Sequence, residues 1–388
     1  MSELASIPWS GVRRVLADWA GPGELLDALA LDEGHERRWT RRELELRAAW
    51  LNFLRLQPRL SHLPGRRSDW LRAMPATNRR YRYEATAPGA RTDWVETRIR
   101  HGWPPTTLAV ERREKIRARL LHELGAWTAR VVLDMVTAAT RLGAEIPEPI
   151  RQAERALTDS FPTTSLGSVS REHVDAGRSA GYPWNVLAAI ATELAPDLEE
   201  LARGLASPDE ELQGRLFHLG VLGIVLEALA HRGQRVESIA PLTRPTSRGP
   251  SYRAIGAGAD VLVWYEASGI WRHHDRASRY DEIKAGLDLQ AAPMSPDIIV
   301  TTDRTAIAIE CKYSLRSEYA VRNGFLQSCT YALELTPMFE HTVALTVAPD
   351  DLIGDRWAET EMNAQLLAAV CSPSSMEDGL LGVLAAGD

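Results

Sequence analysis

Apolar positions in the first two hundred residues recur mostly at helical spacing. Thr40 and Glu43 stand three apart, as in a capping box, and Leu44, Leu46, Ala49, Leu51, Phe53 and Leu54 follow, so a helix is predicted to begin there. A longer helical pattern runs from about Val110 to Leu142. Between them, Pro64 to Pro105 is rich in arginine, proline and aromatics and predicts loops with a short strand at most. The Pro, Gly, Ser and Thr content of Phe161 to Pro183 predicts a linker. Asp209 to His231 then reads as an apolar helix ending at Gly233, a residue suited to the left-handed C-terminal cap. Short apolar runs follow at Asp260–Tyr265, Gly269–Arg272, Asp297–Val300 and Ala306–Glu310, each predicting a strand. A helix over about Glu318–Leu335, a strand over Thr342–Val347 and closing helices complete the order. That order predicts a mainly helical half, then an α/β domain with a small mixed sheet flanked by helices, α+β overall. The expected division is 1–160, a linker at 161–182, and 183–388.

Composition narrows the function classes. The 388 residues are 45% hydrophobic and 25% charged, which is globular and neither disordered nor collagen-like. No apolar run approaches eighteen residues, and Met1 to Trp9 lacks a basic-then-apolar leader, so neither a membrane span nor a secretory signal is expected. Cys311, Cys329 and Cys371 lie far apart without zinc-ligand spacing, which fits a reducing, cytoplasmic setting. The net charge is −7, yet Leu51 to Leu120 carries a local balance of +10. Such a run is either a solvated face or a surface that tracks phosphates. For the second reading the candidates are Arg66, Arg67, Arg79, Arg80, Arg82, Arg112 and Arg113, with Trp70, Tyr81, Tyr83, Trp94 and Trp103 interleaved. Only three of the 45 basic residues are lysines, Lys115, Lys284 and Lys312. In so arginine-rich a chain a retained lysine points to a task for a compact ammonium. No lysine follows a glycine at the spacing of a phosphate-binding GxxxxGK[ST] loop.

The candidate chemistry sits at Pro296-Asp297 and Glu310-Cys311-Lys312. Side chains alternate along a strand, so Glu310 and Lys312 share one side, with small Ala308 beside them. Thirteen residues separate Asp297 from Glu310, a comfortable span for a hairpin that brings the carboxylates together. Two such carboxylates suit Mg²⁺ with retained waters, Mn²⁺ being a substitute, and a neighbouring lysine stabilises charge developing on a phosphate. The plainer alternative is a strand-end ion pair of Lys312 with either acid. Gln327 and Tyr331 stand four apart on the following helix and share a face.

These residues resemble the PD-(D/E)XK nuclease superfamily, whose two motif halves match Pro296-Asp297 and Glu310-Cys311-Lys312. Gln327-Ser-Cys-Thr-Tyr331 is similar to the QxxxY helix of RecB-like members. A nearer resemblance is to McrC-type subunits of modified-DNA restriction systems, through Glu310-Cys-Lys-Tyr313, Gln327 to Ala332, and the Trp94-x-x-Thr97 segment before a long helix. The resemblance implies a restriction-endonuclease-like C-terminal domain and a metal-dependent DNA endonuclease of a bacterial defence system, RNA being the other possible substrate. Asp297 and Glu310, with the Cys311 carbonyl, would hold the metal; Lys312, Gln327 and Tyr331 would serve the water or phosphate. A separate ATPase or GTPase would be the partner, and a homodimer would supply two sites. Where the family has glutamate on the preceding helix, this chain has His218. Either His218 substitutes, Glu227 reaches in, or the site runs on two acids. The rival expectation is an inactive nuclease-fold subunit that binds nucleic acid or assembles a complex. Gly256-Ala-Gly258, the His273-His274 pair and Asp260 are weaker candidates for a ligand site.

Overall fold

The computed structural model describes residues 6–30, 39–89, 91–117, 119–161, 169–194, 197–207, 209–242, 249–256, 259–290, 294–314 and 318–387. The class is α+β. The chain forms two compact units, 49–195 and 1–48 with 196–388, rather than units meeting at a linker over 161–182.

The 49–195 unit is largely helical around an aromatic centre. Trp70 meets Phe161 and Trp184 edge to face at 5.7 and 5.8 Å, and Phe161 meets Trp184 at 5.8 Å. The indole N–H groups of Trp70 and Trp184 donate to the carbonyls of Pro64 (3.1 Å) and Ala73 (2.9 Å), so the large rings are buried without orphaned donors. Phe161 therefore belongs to the core. The supposed linker also holds a helix, Arg171–Ser179, capped by reciprocal Ser170 and His173 contacts. Among its described residues, Ser170 caps this helix and Gly181, with φ 74°, turns the chain after it, the same local signal a linker gives. The helix expected from Val110 begins instead as a strand. Ala76–Ala85 (β1) and Leu108–Arg117 (β2) form an antiparallel ribbon, and the helix starts only at Arg119. Strand pairing overrides the helix preference of Glu, Arg and Lys in this stretch.

The second unit is built on an eight-stranded mixed sheet. Its strands are β3 (Arg235–Ser238), β4 (Tyr252–Ile255), β5 (Val261–Tyr265), β6 (Ile298–Thr301), β7 (Thr305–Cys311), β8 (His341–Val347), β9 (Trp357–Asn363) and β10 (Leu366–Cys371). They lie in the order β3-β4-β5-β6-β7-β8-β10-β9. The pairs from β3 through β7 are antiparallel, whereas β7–β8 and β8–β10 are parallel. The Glu318–Leu335 helix makes the crossover between β7 and β8. All seven residues of β7 are buried, which explains why this strand reads as a continuous apolar run. Gly269–Arg272 is not a strand; Ile270–His273 forms a helical turn whose adjacent Ile270 and Trp271 are both buried, a pattern no half-exposed strand allows. The closing segment holds β9 and β10 before its helix, Pro373–Gly387.

The Glu210–His231 helix is the only described helix long and apolar enough to cross a membrane, and 78% of that window is buried within the protein. Its N-cap Asp209 accepts from Leu212 N–H at 3.0 Å. The Trp9–Leu16 helix crosses it at glycines: a Cβ on Gly223 would overlap the Gly11 carbonyl, and one on Gly11 would overlap the Gly220 carbonyl. Gly223→Ala is therefore expected to destabilise the protein by about 2–3 kcal/mol in denaturant unfolding. Gly214→Ala, on the same helix with Tyr313 Cβ no nearer than 3.8 Å, is expected to be neutral or to stabilise by about 0.5–1 kcal/mol. Equal responses would contradict the close crossing.

Candidate metal centre

Strand register assembles the acids. Tyr265 pairs with Ile298, and Ile298 with Ile309. One step further along the same registers, Glu266, Asp297 and Glu310 stand side by side at the ends of β5, β6 and β7. Directly opposed residues of antiparallel strands share a face, so the backbone brings three carboxylates into one row. Glu266 N–H donates to the Asp297 carbonyl at 2.8 Å, continuing the pairing. Glu266 has φ 48°, a left-handed backbone uncommon for a non-glycine residue and a form of strain found at functional sites.

Each acid has a distinct setting. Asp297 Oδ2 accepts from Cys311 N–H at 2.7 Å, which ties the two halves of the motif together. Glu310 is 3% exposed; its Oε1 accepts from Lys312 Nζ at 2.5 Å, and its Oε2 is buried with no hydrogen-bond partner among the described residues. Burial, with the Asp297 charge adding to it, raises the Glu310 carboxyl to about 7 despite Lys312 and His218. Burial works against the Lys312 ammonium, but the Glu310 and Asp297 charges outweigh it and hold its pKa above the usual lysine value. The helix above makes room for this lysine, because a Cβ on Gly324 would lie 2.6 Å from Lys312 Cγ.

His218 comes from the Glu210–His231 helix, which Tyr313 fixes against β7: its hydroxyl donates to Gln213 Oε1 at 2.9 Å, and its ring lies 5.6 Å from that of Phe217. His218 Nδ1 is 3.8 Å from Asp297 Oδ1. Burial lowers its pKa to about 4, so the ring is neutral at pH 7, and it also hydrogen-bonds the Cys311 backbone. One ligand atom each from His218, Glu266 and Asp297 lies within 4.8 Å of the others. That spacing, three ionisable oxygens in a row and an orphaned carboxylate oxygen fit a divalent cation.

Tyr331 is half-buried, and burial followed by the charges of Glu310, Asp297 and Glu266 pushes its hydroxyl pKa well up, so it keeps its proton. Gln327 is exposed one turn earlier, lining an open cleft with Tyr331, Met294 and Tyr280; its amide makes no hydrogen bond to the acids among the described residues. Glu227 is not brought into the site. It lies nine residues beyond His218, about 13 Å along the helix, and its charge acts on His231. Glu266 was missed in the sequence because nothing in one chain fixes the register of β5 against β6; an acid directly after an apolar strand was the available signal.

The weaker candidates go elsewhere. His273 and His274 stack in an aromatic row with Trp264 and Phe339, at 5.0 and 5.3 Å. Asp260 pairs with Arg253, and Gly258 lies outside the described residues. Arg66 and Arg67 are exposed at the start of the Arg67–Ala73 helix, and Arg82 is exposed 3.6 Å from Asp93. Arg79, Arg80, Arg112 and Arg113 occupy the ribbon, with Arg80 opposite Arg113; their side chains lie outside the described residues.

No protein-family model matches this chain, and no curated protein does. Among solved structures, the chain is similar to one in a refined half-complex of Thermococcus gammatolerans McrB AAA+ hexamers with bound McrC. Identity is 11%, the match covers 97% of this chain and 76% of that one, and the TM-score is 0.29.

Proposed function

We propose that the protein is a metal-dependent endonuclease that hydrolyses phosphodiester bonds in DNA, in a cytoplasmic bacterial restriction or defence system with a separate NTPase. The observation that carries the reading is the row of Glu266, Asp297 and Glu310 with Lys312 at 2.5 Å from Glu310, beside the Gln327–Tyr331 helix face. Asp297 and Glu310 would hold Mg²⁺, or Mn²⁺ in its place, with Glu266, His218 and the Cys311 carbonyl as further donors. A bound divalent ion supplies Lewis acidity at a phosphate oxygen and a water of lowered pKa. Lys312 presents a fixed positive charge where the phosphate gains negative charge, and orients the attacking water. Tyr331 donates its hydroxyl to a phosphate oxygen, and Gln327 offers an amide at the same face. Water oxygen bonds to phosphorus as the bond to the departing deoxyribose oxygen breaks, and the proton lost by the water is balanced by one gained on that oxygen.

The exposed Arg66, Arg67 and Arg82 supply backbone-tracking charge for a duplex. The resemblance to McrC-type subunits implies a separate motor subunit, and two copies of the chain would cut both strands. The inactive-subunit reading drew on the histidine at the usual acid position. Glu266 weakens that reading, since the site has three acids without it.

Purified protein is expected to cleave plasmid DNA in Mg²⁺ or Mn²⁺ and to stop in EDTA or as Asp297→Asn. Glu310 also fixes a pH sign. Its folded pKa is raised, so its contribution to metal-free stability is full below about 4.5 and is lost as pH rises through about 7. Cation binding needs the ionised form, so the cation-induced rise in Tm is expected to be small at pH 5.5 and large at pH 8.5. Equal shifts at both, with no cleavage by wild type alone or with its motor, would reject the reading.

A further inference from the structure

We propose that the Trp94–His101 helix and Trp103, in the 49–195 unit, form a stacking platform for the unpaired bases of a single nucleic-acid strand. The inference goes beyond the nuclease reading and stands without it, because the binding it describes needs no metal.

The helix is turned inside out relative to an ordinary surface helix, which buries its apolar stripe. Its inward residue is polar: Thr97 is 1% exposed, and its Oγ1 accepts from the Ala109 N–H of β2 at 2.9 Å. Asp93 caps the helix by accepting from Glu96 N–H at 3.0 Å, so hydrogen bonds fix both its start and its inner face. The apolar side chains lie on the open side. Val95, Ile99 and Trp103 are 71%, 73% and 74% exposed, and Trp94 is 52% exposed. Trp94 and Arg98, and likewise Val95 and Ile99, stand four apart and share a face. Together with Trp103 they line one open cleft of about 640 Å³. Neither indole stacks on another ring or donates a hydrogen bond among the described residues. A contiguous exposed apolar patch of this kind marks a binding surface.

Charge and ring chemistry choose the occupant. No acid lines the cleft. Arg98 stands in it without an ion pair among the described residues, Arg91 is exposed just before the helix, and Glu96 is engaged by Arg100 at 2.6 Å. The surrounding stretch, Leu51 to Leu120, carries a balance of +10. A nucleic-acid strand offers both complements in each repeating unit, a phosphate for arginine and a flat aromatic face for tryptophan. Inside a duplex both faces of a base are covered by its neighbours, so the rings select unpaired bases. Val95 and Ile99 give an apolar bed beside the rings, and Arg98 contributes a cation next to the stacked faces. A second copy of the chain meeting this face through a two-fold axis would oppose the same arginines to one another.

The test is fluorescence anisotropy with full-length protein in EDTA, using labelled oligothymidylate and a duplex of equal length at two salt concentrations. Wild type is expected to bind the single strand with an affinity that falls as salt rises. Trp94→Ala and Trp103→Ala are each expected to weaken single-strand binding about ten- to a hundredfold and to leave duplex binding within about twofold. Trp94→Phe is expected to keep most of the affinity and Trp94→Leu to lose it, which separates stacking from plain apolar contact. Arg98→Ala is expected to weaken binding and to lower the salt slope by about one. Melting curves confirm that each variant is folded. Absence of single-strand binding, equal losses on single strand and duplex, or wild-type binding by Trp94→Leu would overturn the inference. So would self-association of the chain that Trp94→Ala abolishes while strand binding stays, which would assign the face to a second copy. With EDTA present throughout, none of these results touches the metal-dependent reading, which stands or falls by its own cleavage assay.

Discussion

Lys312→Ala is expected to reduce DNA cleavage by at least about a hundred- to a thousandfold, the effect of removing one charge-stabilising donor from a buried site. Lys312 is a quarter exposed, and its Nζ is 2.5 Å from a carboxylate that is almost wholly buried. Its removal therefore strips the developing charge on the phosphate of its partner. Glu310 can respond by keeping its proton, since its pKa already stands near 7, so the fold is expected to survive. Lys312→Arg is expected to be nearly as inactive. The stem of the side chain packs beneath Gly324, and the longer planar guanidinium of arginine places its charge differently. Cleavage assays on both variants, with circular dichroism and cation titration as controls, check this. Arginine at wild-type activity would show that any positive charge suffices and would remove the reason for reading a lone lysine in an arginine-rich chain as functional.

The largest stability effect is expected at Phe161→Ala, about 3–5 kcal/mol in urea unfolding. The ring is 1% exposed and lies edge-on to Trp70, Trp184 and His122 at 5.7, 5.8 and 5.6 Å. It also fills the space above Gly125, where a Cβ would come within 2.9 Å of it, so truncation leaves a cavity at a helix surface that cannot close inward. Were 161–182 a linker, the same substitution would cost next to nothing. A loss below about 0.5 kcal/mol would contradict the aromatic core of the 49–195 unit.

The contrast shows what a single sequence reveals. Period-two alternation and a thirteen-residue spacing bring Asp297, Glu310 and Lys312 to the adjoining ends of β6 and β7, because those constraints are local and the pleat enforces them. The capping box at Thr40 is equally local; Thr40 N–H donates to Glu43 Oε2 at 2.7 Å, and Glu43 N–H to Thr40 Oγ1 at 3.2 Å. Glu266 depended on the register of a strand more than thirty residues upstream, which no spacing rule sets. The sheet is larger than expected because β3 and β4 are four-residue strands and β9, Trp-Ala-Glu-Thr-Glu-Met-Asn, is an exposed edge strand whose acids discourage further pairing. The Glu111 to Arg117 stretch is composed of helix formers, and only its partner β1 makes it a strand. His218 stood out through resemblance alone, since a histidine on an apolar helix carries no local sign of what it faces.

The most direct measurement is anomalous scattering from crystals soaked in MnCl₂. The account predicts one strong peak bounded by the side chains of Asp297, Glu310, Glu266 and His218, and its loss in Asp297→Asn. Manganese bound only elsewhere, with the Asp297 and Glu310 carboxylates held apart by their own hydrogen bonds, would contradict it.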